Sequence, residues 1–209
     1  MLTRIKFCGM TRAEDVGRAV DLGVDALGFV FVKQSPRYLT IEEARKLIQM
    51  VPPFVGTVGL FMDAEQDEVE AAVRRTGLNL LQFHGSEKEE FCRQFSMPYL
   101  KAVPVGSVDS IVSYCADFPS ASGFVLDSHS AGQMGGTGKS FAWNRIPESL
   151  DRPVILAGGL TPENVSQAVH EVRPYAVDVS SGIEVTRGKK DVEKMRKFIE
   201  ETRNGQERA

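Results

Sequence analysis

The sequence predicts an α/β protein of the (β/α)8 barrel (TIM barrel) class, folded as a single domain over residues 1–209, and three observations predict it. Short β-rich apolar runs alternate with longer helical stretches. The runs number eight, and they start roughly every 20–30 residues, the size of a βα unit. Several are almost continuously apolar, such as Phe29-Val30-Phe31-Val32 and Val154-Ile155-Leu156-Ala157. Such runs suit a parallel sheet buried on both faces. A doubly wound open sheet shares this rhythm. The count of eight, and the lack of a GxGxxG after the first strand, favour closure.

Strands are expected near residues 4–8, 26–31, 55–61, 80–84, 99–103, 123–126, 154–157 and 176–179. Helix punctuation lies between them. Thr11 with Glu14, Thr40 with Glu43, and Ser86 with Glu89 have capping-box spacing. Asp63 is an N-cap candidate before residues 64–75. Ile41, Ala44, Leu47 and Ile48 share one helical face. Thr161-Pro162-Glu163-Asn164 puts proline at a first helical position. The last helix is expected over about residues 190–203, followed by a polar tail from about residue 204 that frays. The segment 127–140 carries four glycines and is read as a mobile lid over the end of strand six.

Composition narrows the function. Lys and Arg total 25 against 28 Asp and Glu, a net charge of −3, which lacks the basic balance of a general nucleic-acid binder. No apolar run approaches the roughly 18 residues of a membrane span. Three widely spaced cysteines fit neither a disulfide framework nor a zinc site, so a reducing cytoplasm is the expected setting. The start at Met1 and the short polar tail suggest a free-standing enzyme.

In a barrel the chemistry sits at strand C-terminal ends and the loops after them. Gly158-Gly159 and Ser180-Ser181-Gly182, after strands seven and eight, are candidate phosphate loops, because glycine lets backbone amides approach an anion and a helix N-terminus favours it. The alternative is that they are only turns. Gly135-Gly136-Thr137-Gly138-Lys139-Ser140 contains a GKS, but Gln133 stands where a P-loop needs glycine. Asp127 caps an apolar strand, where a carboxyl group can act as proton donor or simply anchor a loop. Cys8 opens the site from strand one, or is a small apolar filler. Arg37, stiffened by Pro36, suits a two-pronged clamp on a carboxylate, or the surface. His84 can donate a hydrogen bond, and no metal-ligand pattern surrounds it. Asp178 alternates with Ser180 and is placed to point inward or to serve the structure.

Together the motifs Lys6-Phe7-Cys8-Gly9-Met10-Thr11, Gly28-Phe29-Val30-Phe31 with Ser35-Pro36-Arg37-Tyr38, Leu81-Gln82-Phe83-His84-Gly85, Leu126-Asp127-Ser128, Gly135-Gly136-Thr137-Gly138-Lys139-Ser140-Phe141, Leu156-Ala157-Gly158-Gly159-Leu160 and Asp178-Val179-Ser180-Ser181-Gly182-Ile183-Glu184 resemble the phosphoribosylanthranilate isomerase family. The resemblance runs from first strand to last. Ser140 and Ala142 depart from what the family often has in the lid. It implies the Amadori rearrangement of N-(5-phospho-β-D-ribosyl)anthranilate to 1-(2-carboxyphenylamino)-1-deoxyribulose 5-phosphate in tryptophan biosynthesis. It implies Cys8 as general base and Asp127 as general acid, with Arg37 on the anthranilate carboxylate. His84 and Asp178 are further substrate-binding residues, and Gly158, Gly159, Ser180 and Ser181 hold the phosphate. No metal or redox cofactor is implied, and the partner is a phosphorylated small molecule. A monomer is expected, with a dimer as the alternative. Cationic neighbours, or the turn into the first helix, are expected to favour the Cys8 thiolate.

Two rivals accompany this reading. The related sugar isomerase of histidine biosynthesis uses aspartate where Cys8 stands. A non-catalytic phosphate-ligand sensor on the same barrel needs the loops but not both Cys8 and Asp127.

Overall fold

The computed structural model describes residues 2–128, 143–147 and 150–207. The lid reading, with its GKS segment, Ser140 and Ala142, falls from residue 129 onward outside the described residues. Eight strands form: β1 (Arg4–Phe7), β2 (Ala26–Val30), β3 (Gly56–Phe61), β4 (Leu80–Phe83), β5 (Tyr99–Pro104), β6 (Gly123–Asp127), β7 (Val154–Leu156) and β8 (Ala176–Val179). All pair in parallel, in sequence order, and β8 returns to β1, so the sheet is a closed barrel. Each strand ends within one residue of its expected limits.

The pleat sends alternate residues to two environments. Phe7, Leu27, Phe29, Phe61, Leu81, Phe83, Leu126 and Val177 point outward into one continuous core beneath the helices. Inside, Leu100, Ala102, Val125, Ile155 and Ala176 fill the barrel near the strand starts. Nearer the strand ends the inward positions mix polar Lys6, Gln82, Asp127 and Asp178 with apolar Val30 and Leu60. In the β1–β8 register Lys6 stands directly beside Asp178.

The outer layer holds α1 (Ala13–Asp21), α2 (Ile41–Ile48), α3 (Gln66–Thr76), α4 (Glu89–Arg93), α5 (Ile111–Ala116), α6 (Val165–Val172) and α7 (Val192–Glu207). Ala44, Leu47 and Ile48 are the buried face of α2, and Thr40 with Glu43 makes the expected capping box. Among the described residues no helix is long and apolar enough to cross a membrane.

Other expected caps give way to tertiary bonds. α1 begins after Arg12, and the Thr11 hydroxyl donates to the Gly188 carbonyl instead. Asp63 does not cap α3, which starts after Glu65; its carboxylate accepts from the Ser86 amide. Ser86 does not cap α4, which starts after Lys88. Proline 162 is not at the first helical position, because Thr161–Asn164 is a turn and α6 starts at Val165.

The chain between β8 and α7 also differs. It forms a hairpin, β9 (Glu184–Thr186) against β10 (Lys189–Lys190), where the last helix was expected to begin. The tail expected to fray from residue 204 is helical to Glu207. Gly205 packs so closely on Ser166 that a Cβ there would lie 2.5 Å from its carbonyl oxygen. Arg203 and Gln206 both donate to the Thr3 carbonyl, at 3.0 and 3.2 Å. These bonds fix the helix end against β1.

Candidate active site

One cavity opens at the C-terminal ends of the strands and holds about 720 Å³ of empty space. Cys8, Arg37, His84, Asp127, Gly158, Gly159, Asp178, Ser180 and Ser181 all line it. The barrel therefore brings together every site residue selected from the sequence. Val30, Val32, Leu60 and Met62 supply an apolar wall, a suitable face for an aromatic ring.

Cys8 and Lys6 are two residues apart along β1 and so face the same way, into the barrel. Gly28 on β2 makes room for both. A Cβ there would lie 2.8 Å from the Cys8 Sγ and 3.1 Å from the Lys6 Nζ. Lys6 donates to the Asp178 carboxylate at 2.8 Å, with both side chains buried. The second oxygen of that carboxylate, Oδ1, is buried without a hydrogen-bond partner. Burial pushes the Cys8 thiol above its ordinary value. Lys6 and Lys190 pull it down, Asp178 adds to the rise, and the net direction is upward. The cationic neighbours expected to favour the thiolate, Lys6 and Lys190, act in that sense, but theirs is not the net direction. The cation is present, but desolvation of a buried charge outweighs it.

Asp127 ends β6 on the far side of the cavity. His84, from the end of β4, places Nε2 3.4 Å from its Oδ2. The Gln82 amide nitrogen donates to His84 Nδ1 at 3.2 Å. That bond puts the imidazole proton on Nε2, toward the carboxylate.

Arg37 is held by Glu184. Its Nε and Nη2 donate to the two carboxylate oxygens, both at 2.7 Å. The side edge of the guanidinium is thus occupied, and the end edge, Nη1 with the second Nη2 proton, is what can clamp a substrate carboxylate. Lys190, fully enclosed, donates to the Cys8 carbonyl at 2.7 Å, the Ser180 carbonyl at 3.0 Å and Glu184 at 3.0 Å. The β9–β10 hairpin thereby ties β1, β8 and Arg37 into one rim. Glu184→Gln is expected to raise KM about tenfold with a smaller change in kcat. It removes a charge-assisted bond worth roughly 1.5–3 kcal/mol that aims Arg37 without touching the reacting atoms. Steady-state kinetics read the split, and a KM within twofold of the parent contradicts it.

The two candidate phosphate loops meet at one corner. Gly158 and Gly159 both take positive φ, +80° and +68°, and a Cβ on Gly158 would lie 2.4 Å from the Ser128 amide nitrogen. Gly182 packs on the Leu160 carbonyl, where a Cβ would lie 2.0 Å away. On the β7 side this corner is a turn, and on the β8 side Ser180 leads into a short 3-10 helix at Ser181–Ile183. The Thr161 amide is taken by the Asn164 side chain at 2.8 Å, and α6 starts later.

Residues 5–201 match the model of the family described as N-(5'phosphoribosyl)anthranilate (PRA) isomerase. The chain belongs to that family. A relative named N-(5'-phosphoribosyl)anthranilate isomerase from Pseudomonas fluorescens is 50% identical over 200 residues, covering 96% of this chain and 98% of its own. One of the same name from Thiobacillus denitrificans is 49% identical over 203 residues, covering 97% and 99%. Among solved structures, phosphoribosyl anthranilate isomerase from Thermotoga maritima aligns with a TM-score of 0.87 at 38% identity, over 97% of this chain and 99% of that one. A complex of the enzyme with reduced 1-(o-carboxyphenylamino)-1-deoxyribulose 5-phosphate aligns with a TM-score of 0.81 at 35% identity, again over 97% and 99%. As a member of the family the chain is an isomerase of tryptophan biosynthesis, catalysing an Amadori rearrangement.

Sequence reasoning missed Lys6, Gln82, Glu184 and Lys190. Lys6 carried a signal, being a charged residue on the inward face of an apolar strand. The partner of Glu184 lies 147 residues away, and no local pattern reports it.

Proposed function

We propose that Asp127 is the general acid and Cys8 the general base of the rearrangement, with N-(5-phospho-β-D-ribosyl)anthranilate as substrate. The observation that carries this reading is their placement across one cavity, on β6 and β1, between an anion corner and a guanidinium. Protonated Asp127 donates to the ribose ring oxygen. The ring C–O bond breaks, and the nitrogen lone pair forms the iminium. The Cys8 thiolate then takes the proton from C2′, and the electron pair left behind neutralises the iminium as an enolamine, which tautomerises to the ketone. The iminium is the electron sink, so no electron leaves the substrate.

Gly158, Gly159, Ser180 and Ser181 hold the phosphate, and the end edge of Arg37 holds the carboxylate. His84 and the open oxygen of Asp178 face the sugar and its nitrogen. Arg37 lines the cavity, while Lys6 and Lys190 stand behind its wall paired with Asp178 and Glu184, so it is the placed donors and not the net charge of −3 that admit an anionic substrate. Three free, buried cysteines suit a reducing cytoplasm. The chain acts as a monomer; one Thermotoga maritima relative is described as dimeric, with monomers also generated from it.

Freshly made phosphoribosylanthranilate mixed with the purified protein is expected to lose its fluorescence at a rate proportional to enzyme. The same sugar lacking the phosphate is expected to react with a KM at least tenfold higher. A fluorescence trace unchanged by the protein overturns the reading.

A further inference from the structure

The scheme above uses Cys8 as a thiolate, yet burial favours the thiol. Some group must therefore oppose the cost of a buried negative charge. The charged groups facing Cys8 are Lys6 on its own strand, Asp178 on β8, Lys190 on β10 and Arg37 after β2. Asp127 and His84 line the same cavity.

Two of the three cations are committed elsewhere. Arg37 spends its side edge on Glu184. Lys190 donates to two carbonyls and Glu184, which accounts for all three of its protons. Lys6 differs. Its one bond of normal length to a carboxylate is to Asp178, at 2.8 Å. Its Nζ also converges with the Cys8 Sγ on the space left open by Gly28. It is buried, so its attraction to a neighbouring thiolate is weakly screened.

We propose, building on the assignment of Cys8 as base, that Lys6 is a positioning residue that controls the ionisation of Cys8, and that Asp178 competes with Cys8 for its charge. When Asp178 holds Lys6 fully, the cation is neutralised and the thiol keeps its proton. When the hold weakens, the ammonium stabilises the thiolate, and the thiol proton passes to bulk water through the cavity mouth. Asp178 lines the same cavity and keeps a buried oxygen, Oδ1, without a partner, so one carboxylate serves both the cation and the site.

The test follows the thiol directly, by ultraviolet absorbance of the thiolate during pH titration of the empty enzyme, each variant being read against the same variant with Cys8→Ala. Cys92 and Cys115, pushed up to about 12 by burial, contribute equally to both traces and cancel in that difference. Lys6→Met is expected to raise the Cys8 pKa by at least one unit, about tenfold less thiolate at a given pH. Asp178→Asn, which frees the cation, is expected to lower it. Lys6→Arg keeps the charge and is expected to titrate close to the parent. A side chain that only supports the fold would not shift one thiol in opposite directions through its two partners. If Lys6→Met fails to fold, Lys6→Gln, which also removes the charge, is read in its place with the same rise expected, because Asp178→Asn also acts on the thiol directly. The titration needs no turnover, so it is separable from the assignment of the base, which full activity in Cys8→Ala would overturn. An unchanged Cys8 titration in Asp178→Asn, or a shift of the same sign in Lys6→Met and Asp178→Asn, overturns the control by Lys6.

Discussion

Cys8→Ala is expected to lower kcat by about 10²–10⁴-fold while a reduced product analogue still binds within a few-fold of the parent. Asp127→Asn is expected to do the same. Each change removes one proton-transferring group and leaves the anion corner and Arg37 in place. Cys8→Ser keeps the shape of the side chain but substitutes a hydroxyl that does not ionise in the accessible range, so it is expected to resemble Cys8→Ala. The double variant is expected to fall little further than either single one, because acid and base act on one reaction coordinate. The pH profile adds a sign. The active form needs a thiolate together with a protonated carboxyl. With the thiol held above its ordinary value, that form is the minor one wherever the thiol titrates above the carboxyl. The alkaline limb of kcat/KM then reports Cys8, and it disappears in Cys8→Ser. Steady-state rates across pH, with analogue binding by calorimetry, check all of this. Near-parental kcat in either single variant ends the acid–base assignment.

Gly158→Ala is expected to damage binding and chemistry together. Gly158 holds φ at +80°, a conformation that costs an L residue roughly 1–2 kcal/mol. Its added Cβ would also lie 2.4 Å from the Ser128 amide nitrogen and 2.8 Å from Asp127 Oδ1. Backbone must move, and the group that moves with it is Asp127, the proposed general acid. The expected result is a kcat/KM lower by at least a hundredfold, with KM raised and kcat reduced. Gly77→Ala is the contrast. It too has positive φ, +84°, but it ends α3, its Cβ would meet only Ile48 at 3.7 Å, and it lies away from the cavity. It is expected to lower the melting midpoint and leave kcat/KM unchanged. Equal losses of kcat/KM in the two variants would show that backbone strain alone, and not proximity to Asp127, governs the effect.

The strands were legible because a residue buried on both faces of a parallel sheet has no polar option. Runs such as Phe29-Val30 and Ile155-Leu156 have few other places to go. The strand ends followed, and with them the nine residues that line the cavity. Caps were legible only where the partner is local. Thr40 and Glu43 satisfy each other within one turn. Thr11 and Asp63 carry the same chemistry but are claimed from a distance, by Gly188 and Ser86. The supporting charges were least legible. A lysine in a helix or hairpin reads as solvated, and only the closed barrel reveals that Lys190 is enclosed beside the Cys8 carbonyl. The ordered end of α7 was hidden likewise, since Asn204-Gly205-Gln206 is polar by composition but Gly205 packs on Ser166.

The burial of the three thiols bears on oxidative damage. Peroxide attacks the thiolate, and its rate follows the ionised fraction and the access of the sulfur. Burial takes access from all three sulfurs and pushes each thiol above its ordinary value, Cys92 and Cys115 to about 12. The sulfur proposed as the base is thus kept by burial on the less oxidisable, thiol side of its titration.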